Sequence, residues 1–231
     1  QINSVKVNLG MAYSDNREYE KAIEQFDFVI NDNSSSVYSA LIEKGGTFRK
    51  MANNLEYNKR NSEDIKKYLF DAIDCFEKSI EIDTEDWPWL AMGYCWENMD
   101  PPNYENAIQC FEKAIEINNQ NGLTWTDKAS AERLIGQHNM AINSFSVAQE
   151  LGVVNDDLYY FKGRTYFSLG KWSKIFSDII LFGYKKYFFV SLCINFFLLF
   201  FNVYVSSFLG KTPCHNNMDF EKVVINLFIS F

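Results

Sequence analysis

Histidine and proline are scarce in this sequence, and its cysteines form no recognisable pattern. The 231 residues include two histidines, four prolines and five cysteines. No two cysteines have CxxC spacing, and an odd number is a poor basis for a disulfide framework. We therefore expect reduced thiols, as in a reducing compartment. We expect no zinc site either, because Cys214 and His215 have no further ligand at zinc spacing.

Sequence motifs of catalytic or cofactor sites are also missing. The chain has no GxGxxG, no GxxxxGK[ST] and no HExxH. Its carboxylates mostly fall on the polar faces of predicted helices, as is typical of solvated surfaces. The sequence therefore predicts a protein that is not an enzyme and that uses no cofactor or metal.

Positive charge is lacking in most of the chain. Residues 1–170 hold 27 acids and 16 bases, a net charge of −11, and residues 171–231 hold 3 acids and 6 bases, a net charge of +3; together they give −8. Binding to phosphate backbones needs a basic face. Nucleic acid is therefore excluded as the main partner.

What the chain does contain is an internal repeat of small and aromatic residues. A glycine is followed three positions later by an aromatic in four places, and an alanine is followed four positions later by phenylalanine in four others. The glycine pairs are Gly10 with Tyr13, Gly45 with Phe48, Gly93 with Trp96, and Gly163 with Tyr166. The alanine pairs are Ala22 with Phe26, Ala72 with Phe76, Ala107 with Phe111, and Ala141 with Phe145, in steps of 50, 35 and 34 residues.

This pattern resembles the tetratricopeptide repeat, in which W-x2-L-G-x2-Y opens a 34-residue unit and A-x3-F follows. Apolar residues at helical spacing, as in 104–117, and the lack of strand-like alternation predict an all-α chain. The resemblance implies a right-handed α-solenoid of antiparallel helix pairs over residues 1–170, with four to five repeats. In such pairs small residues lie where helices cross closely, and aromatics fill the space between them.

Three departures from the repeat are visible. The 50-residue step places a polar insertion near residues 51–65, between the two helices of the second unit; it is either a partner contact or a tolerated surface insertion. The fourth unit has Ala129 in place of glycine and Glu132 in place of the aromatic. The fifth unit begins well, but over residues 171–186 its second helix is degenerate or a linker.

Residues 187–209 form a run of 23 residues without a charge. A helix of that length spans about 34 Å, enough for the hydrocarbon core of a bilayer. We expect a long apolar C-terminal helix that anchors the repeats to a membrane. Lysines before the run favour repeats on the cytoplasmic side, and residues 210–231 form a short tail. Two alternatives remain open: a buried helix that caps the solenoid, and a tail that is not native coding sequence.

The resemblance also implies where a partner binds. In this family the first helices line a concave groove that receives a peptide or a helix of another protein. The groove positions of this sequence are Asn8, Met11, Glu43, Arg49, Trp87, Leu90, Tyr94, Asp127, Arg133, Tyr160 and Arg164. For each of them the alternative is packing against the next unit.

One subfamily grips the C-terminal carboxylate of chaperone tails with Lys, Asn and Arg. At those positions this chain has Val7 and Met11, then Glu43, then Trp87 and Ala91, and later frames are no more basic. A carboxylate needs cationic donors, so we predict that chaperone C-terminal tails do not bind in this way. The leading hypothesis is a non-catalytic scaffold for protein–protein interaction. The alternative is a targeting or regulatory fragment of a larger enzyme, because the chain begins at Gln1 rather than at methionine.

Overall fold

Antiparallel helix pairs make up the described part of the computed structural model, which covers residues 2–32, 34–54, 62–171 and Lys174. These residues contain nine α-helices and no strand, so the all-α prediction is confirmed for them. The helices are α1 (Ile2–Asp15), α2 (Tyr19–Asn31), α3 (Val37–Asn54), α4 (Ser62–Ile80), α5 (Asp86–Glu97), α6 (Tyr104–Ile117), α7 (Gly122–Leu134), α8 (His138–Glu150) and α9 (Asp156–Ser168).

The helices pack in chain order as four pairs, and α9 begins a fifth. The first helix of each pair packs against the second, α1 on α2, α3 on α4, α5 on α6 and α7 on α8. Each second helix also packs against the first helix of the next pair. The first helices contact one another as well, α1 with α3, α3 with α5 and α7 with α9. The first helices therefore share one continuous face of the stack.

Four phenylalanines form the centres of the four pairs. Phe26, Phe76, Phe111 and Phe145 are 0–1% exposed, and the alanine four positions before each is fully buried. A Cβ added to Gly10 would lie 2.5 Å from Phe26 Cε1, and one added to Gly45 would lie 2.7 Å from Phe76 Cε1. A Cβ on Gly93 would collide with the ring of Phe111 in the same way. In the first three pairs the glycine and the phenylalanine are thus two sides of one close helix contact.

The insertion of the second pair lengthens its helices. We predicted a polar segment near residues 51–65 between these two helices. The structure continues α3 to Asn54 and begins α4 at Ser62, which gives helices of 18 and 19 residues. The other helices have 12–14 residues. Ala52 is buried, and Asn54 Nδ2 donates to the Tyr19 hydroxyl at 2.8 Å. Residues 55–61 lie outside the described residues.

Three of the cysteines lie in the core as free thiols. Cys75, Cys95 and Cys110 are buried. Burial raises the pKa of Cys75 and Cys110 to about 11 and that of Cys95 to about 12. These side chains are therefore protonated at neutral pH and pack as small apolar groups. Cys193 and Cys214 lie outside the described residues.

The predicted C-terminal elements also fall outside the described residues. They comprise nearly all of the degenerate segment 171–186, the predicted transmembrane helix 187–209 and the tail 210–231. Within the described ranges, no helix is both long enough and apolar enough to cross a bilayer.

Candidate functional site

The shared face of the first helices, hereafter the groove, is built from side chains at helical spacing. On α3, Glu43, Gly46 and Arg49 succeed one another at intervals of three and so lie on one side of the helix. Tyr94 and Glu97 have the same spacing on α5. These positions lie beside the glycines and phenylalanines of the repeat and are not part of the repeated pattern, so their residue types differ from one pair to the next.

Side chains from three successive pairs meet at the centre of the groove. The Arg49 guanidinium lies 5.4 Å from the centroid of the Tyr94 ring, and the Tyr94 hydroxyl donates to Asp127 Oδ2 at 2.6 Å. The Tyr94 ring also contacts Phe111 edge-on at 5.8 Å. The contact with Phe111 fixes the ring on the core, Arg49 lies over its face, and Asp127 accepts a hydrogen bond from its hydroxyl. The three predicted groove residues Arg49, Tyr94 and Asp127 are therefore brought together.

Glu97 belongs to the same cluster, although we did not predict it. Burial, helped by the neighbouring charge of Asp127, raises the pKa of Glu97 from 4.5 to about 7. A signal for it was present in the sequence. Glu97 comes four residues after Gly93, as Arg49 comes four after Gly45 and Arg133 four after Ala129. Comparing equivalent repeat positions would have added Glu97 to the groove.

The other two carboxylates of the groove are also poorly solvated. Burial raises the pKa of Asp127, against the hydrogen bond from Tyr94, which lowers it. Burial raises the pKa of Glu43 too, and the charge of Lys50 opposes that rise. The three carboxyl groups at the centre of the groove are thus poorly solvated, and among the described residues none of them forms an ion pair with a lysine or an arginine.

The end of the groove near α9 has the opposite charge. The Arg133 guanidinium lies 5.0 Å from the centroid of the Phe161 ring, and that of Arg164 lies 5.6 Å from the centroid of Tyr160. Burial, together with the charge of Arg164, lowers the pKa of Arg133. Each arginine rests on an aromatic ring, which restricts its side chain without neutralising it.

The remaining predicted groove residues differ in exposure. Asn8 is exposed, Met11 is 38% exposed and Trp87 is 45% exposed, so these side chains are available to a partner. Leu90 is only 7% exposed and packs in the core cluster around Phe111. For Leu90, packing within the chain is the role that the structure shows, and we remove it from the candidate site.

Comparisons with known proteins agree with the helix-pair architecture. A family model described as tetratricopeptide repeat matches residues 4–27, which span most of α1 and α2, and residues 103–121, which span α6. No curated protein sequence matches the chain.

Solved structures share the fold at low sequence identity. A crystal structure of the protein MamA is 16% identical over 77% of this chain and 88% of its own, with a TM-score of 0.62. The structure of YrrB, described as a TPR protein with an unusual peptide-binding site, is 18% identical over 75% of this chain and 80% of its own, with a TM-score of 0.56. At this identity the likeness concerns the fold alone.

The repeated glycine–phenylalanine contacts, the ordered helix pairs and the family-model matches lead to one conclusion. The chain contains tetratricopeptide repeats, which the family model matches at residues 4–27 and 103–121, and it shares the fold of the solved structures of MamA and YrrB.

Proposed function

We propose that this protein is a non-catalytic scaffold that binds a short segment of a partner protein in the groove. The observation that carries the proposal is the cluster of Arg49, Tyr94 and Asp127. These side chains come from three successive pairs, Arg49 and Asp127 both contact Tyr94, and each of the three remains partly exposed. A face that serves only to stack helices would not need partly exposed charged groups connected through one tyrosine across three repeats.

The composition of the groove suits a peptide or a helix. Trp87 offers exposed aromatic surface, and Tyr94, which is partly exposed, has its ring fixed against Phe111. Aromatic residues and arginines are enriched among the side chains that dominate binding energy at protein interfaces. The solved relative YrrB is itself described as having a peptide-binding site. The same use of the groove in this chain is our proposal.

Gly46 offers a direct test. A Cβ on Gly46 would meet no atom within 4 Å, and the residue lies on the groove side of α3 between Glu43 and Arg49. Gly46→Trp therefore fills the groove without disturbing the core. Peptides selected by the full chain from a random phage-displayed library should bind this variant at least about tenfold more weakly.

The matched control is Gln109→Trp, which places the same side chain at an exposed position of the second helix α6. It should bind the selected peptides as the unchanged chain does. Equal binding to the Gly46→Trp variant would place the peptides elsewhere and contradict the proposal.

Chaperone C-terminal tails remain excluded from the proposal. The positions that would grip a C-terminal carboxylate are occupied by Val7, Met11, Glu43, Trp87 and Ala91. Val7 and Ala91 are buried, and burial raises the pKa of Glu43. Titration with an acidic chaperone tail peptide should show no saturable binding; micromolar affinity would overturn this expectation.

We further propose that residues 187–209 attach the repeats to the cytoplasmic side of a membrane. The support is the uncharged run of 23 residues with lysines before it. Mass spectrometry of the native protein should find a peptide of this run in the membrane fraction. Its presence in the soluble fraction alone would contradict the proposed anchor.

A further inference from the structure

Charge is distributed unevenly along the groove, and this distribution indicates which charges a matching partner segment carries. Across α3, α5 and α7 the groove carries Glu43, Glu97 and Asp127 with Arg49 among them. From the far end of α7 to α9 it carries Arg133 and Arg164, with Asp157 two turns before Arg164 in α9 and outside ion-pair distance of both arginines. Any inference about the partner's charges rests on the proposed function, since it assumes that the groove is the binding site.

The acidic part lacks a cation for its carboxylates. Arg49 lies over the face of Tyr94, and within the described ranges it forms no ion pair with Glu97 or Asp127. Lys50, whose charge reaches Glu43, is already paired, because its Nζ lies 2.7 Å from Asp15 Oδ1. Glu97 and Asp127 are partly shielded from water. A lysine or arginine of a partner would stabilise their ionised form, which the solvent stabilises only weakly at this site.

The basic part lacks an anion. In the portion of the chain that the structure describes, neither Arg133 nor Arg164 lies within ion-pair distance of a carboxylate. Arg133 Nε is buried and has no acceptor there. The rings of Phe161 and Tyr160 hold the two guanidiniums, so little side-chain entropy is left to lose on binding. A carboxylate side chain is the group that matches such donors.

We infer that the groove accepts an internal segment of a partner protein that carries one basic and one acidic side chain. The basic side chain lies against Glu97 and Asp127. The acidic side chain lies against Arg133 and Arg164. The two sites are one first helix apart, a distance on the order of 10 Å. In an extended chain this corresponds to a separation of about three residues.

Selection from the same random library tests this inference. The peptides are displayed as internal segments, so that no free C-terminal carboxylate is present. The full chain should enrich a lysine or arginine and an aspartate or glutamate about three positions apart. The variant Glu97→Lys should lose the preference for the basic residue and keep that for the acidic one. Arg164→Glu should do the reverse.

Matched controls separate local from general effects of charge. Glu150→Lys and Lys113→Glu make the same reversals at exposed positions of the second helices α8 and α6. Both should select the same motif as the unchanged chain. Should a reversal in the groove unfold the chain by circular dichroism, the neutral variants Glu97→Gln and Arg164→Gln are used. Each should weaken binding of the selected peptide on the order of tenfold.

The outcomes distinguish this inference from the proposed function. Peptides that bind the Gly46→Trp variant unchanged would contradict the proposed function itself. Two other outcomes would contradict only the inference. In the first, Gly46→Trp blocks binding but the selected peptides lack the charge pair. In the second, Gly46→Trp blocks binding but the charge-reversed groove variants select the same peptides as the unchanged chain. A dimer in sedimentation that Glu97→Lys dissociates would assign the groove to a second copy of this chain and also overturn it.

Discussion

The third and fourth helix pairs solve the same packing problem in different ways. In the third pair, Gly93 faces the ring of Phe111, and Trp96 packs against the neighbouring apolar cluster. In the fourth pair, the equivalent positions hold Ala129 and Glu132, and both are fully buried. A carboxylate therefore occupies a position where the other pairs place an aromatic ring.

The fourth pair tolerates this carboxylate because it supplies partners for it. Ser144 Oγ donates to Glu132 Oε2 at 2.8 Å, and Lys128 Nζ lies 3.6 Å from Oε1. Ser144 stands one residue before Phe145, the position that Cys110 occupies before Phe111. The aromatic and the cysteine of one repeat are thus exchanged together for a carboxylate and a hydroxyl. Both pairs therefore keep the buried phenylalanine, while the residues around it can be apolar or polar.

Removing the phenylalanine should have the largest effect in either pair. Phe111→Ala and Phe145→Ala each delete a fully buried ring. Each should lower the free energy of unfolding by about 3–5 kcal/mol, measured by urea denaturation. Phe28→Ala is the control, because Phe28 is 48% exposed. A loss in one pair alone would show that the two pairs do not share this centre.

Lys128→Met removes the positive charge beside the buried carboxylate of Glu132 in the fourth pair. Lys128 is 12% exposed and lies 2.9 Å from Glu112 Oε1 as well as near Glu132. Its loss leaves the buried carboxylate uncompensated and should cost about 2–4 kcal/mol. Burial already raises the pKa of Glu132, so the variant should recover at acidic pH, where that group is protonated.

The double variant Lys128→Met with Glu132→Gln should be more stable than Lys128→Met alone at neutral pH, because no buried charge remains. Equal stability of the two variants would show that the charge of Glu132 is irrelevant to the fourth pair.

Glu97→Gln tests a partly buried carboxylate that has no cationic partner among the described residues, in contrast to Glu132, which has Lys128 beside it. The pKa of Glu97 is raised in the fold from 4.5 to about 7. The folded state then binds more protons than the unfolded state between these values, so stability falls as pH rises through that range. The variant should gain about 2 kcal/mol at alkaline pH and little near pH ~4, measured by urea denaturation. Glu150→Gln, at an exposed position, is the control and should leave the stability unchanged at both pH values. An equal gain in this control would show that the gain does not come from the burial of Glu97.

The glycine of the third pair should give the smallest effect. Gly93→Ala puts a methyl group against the ring of Phe111 and should cost about 1–3 kcal/mol. Gly46→Ala, on the open side of α3, should instead gain about 0.5–1 kcal/mol through helix propensity. Thermal denaturation distinguishes the two signs. A gain in both would mean that the ring shifts freely.

Much of the fold could be predicted because the repeat is local. Glycine, alanine and phenylalanine at fixed separations report a close helix contact whatever surrounds it, and the structure confirms these residues as the core. Glu132 was visible only as a departure. Its spacing could not reveal that Ser144 and Lys128 stand beside it, since those contacts depend on side-chain conformation. The residues of the groove were predicted only in part. Arg49, Tyr94 and Asp127 were named, Glu97 was missed, and Leu90 was included although it is buried.

The helix pairs, their order and the buried face of each helix follow from the sequence alone, because apolar spacing and close-approach glycines depend on the nearest neighbours in the chain. Which charges meet depends on how the helices pack. The contact of Arg49 with Tyr94 and of Tyr94 with Asp127 joins residues of three repeats. Such contacts depend on how the first helices face one another, and the desolvation of Glu97 depends on the same arrangement.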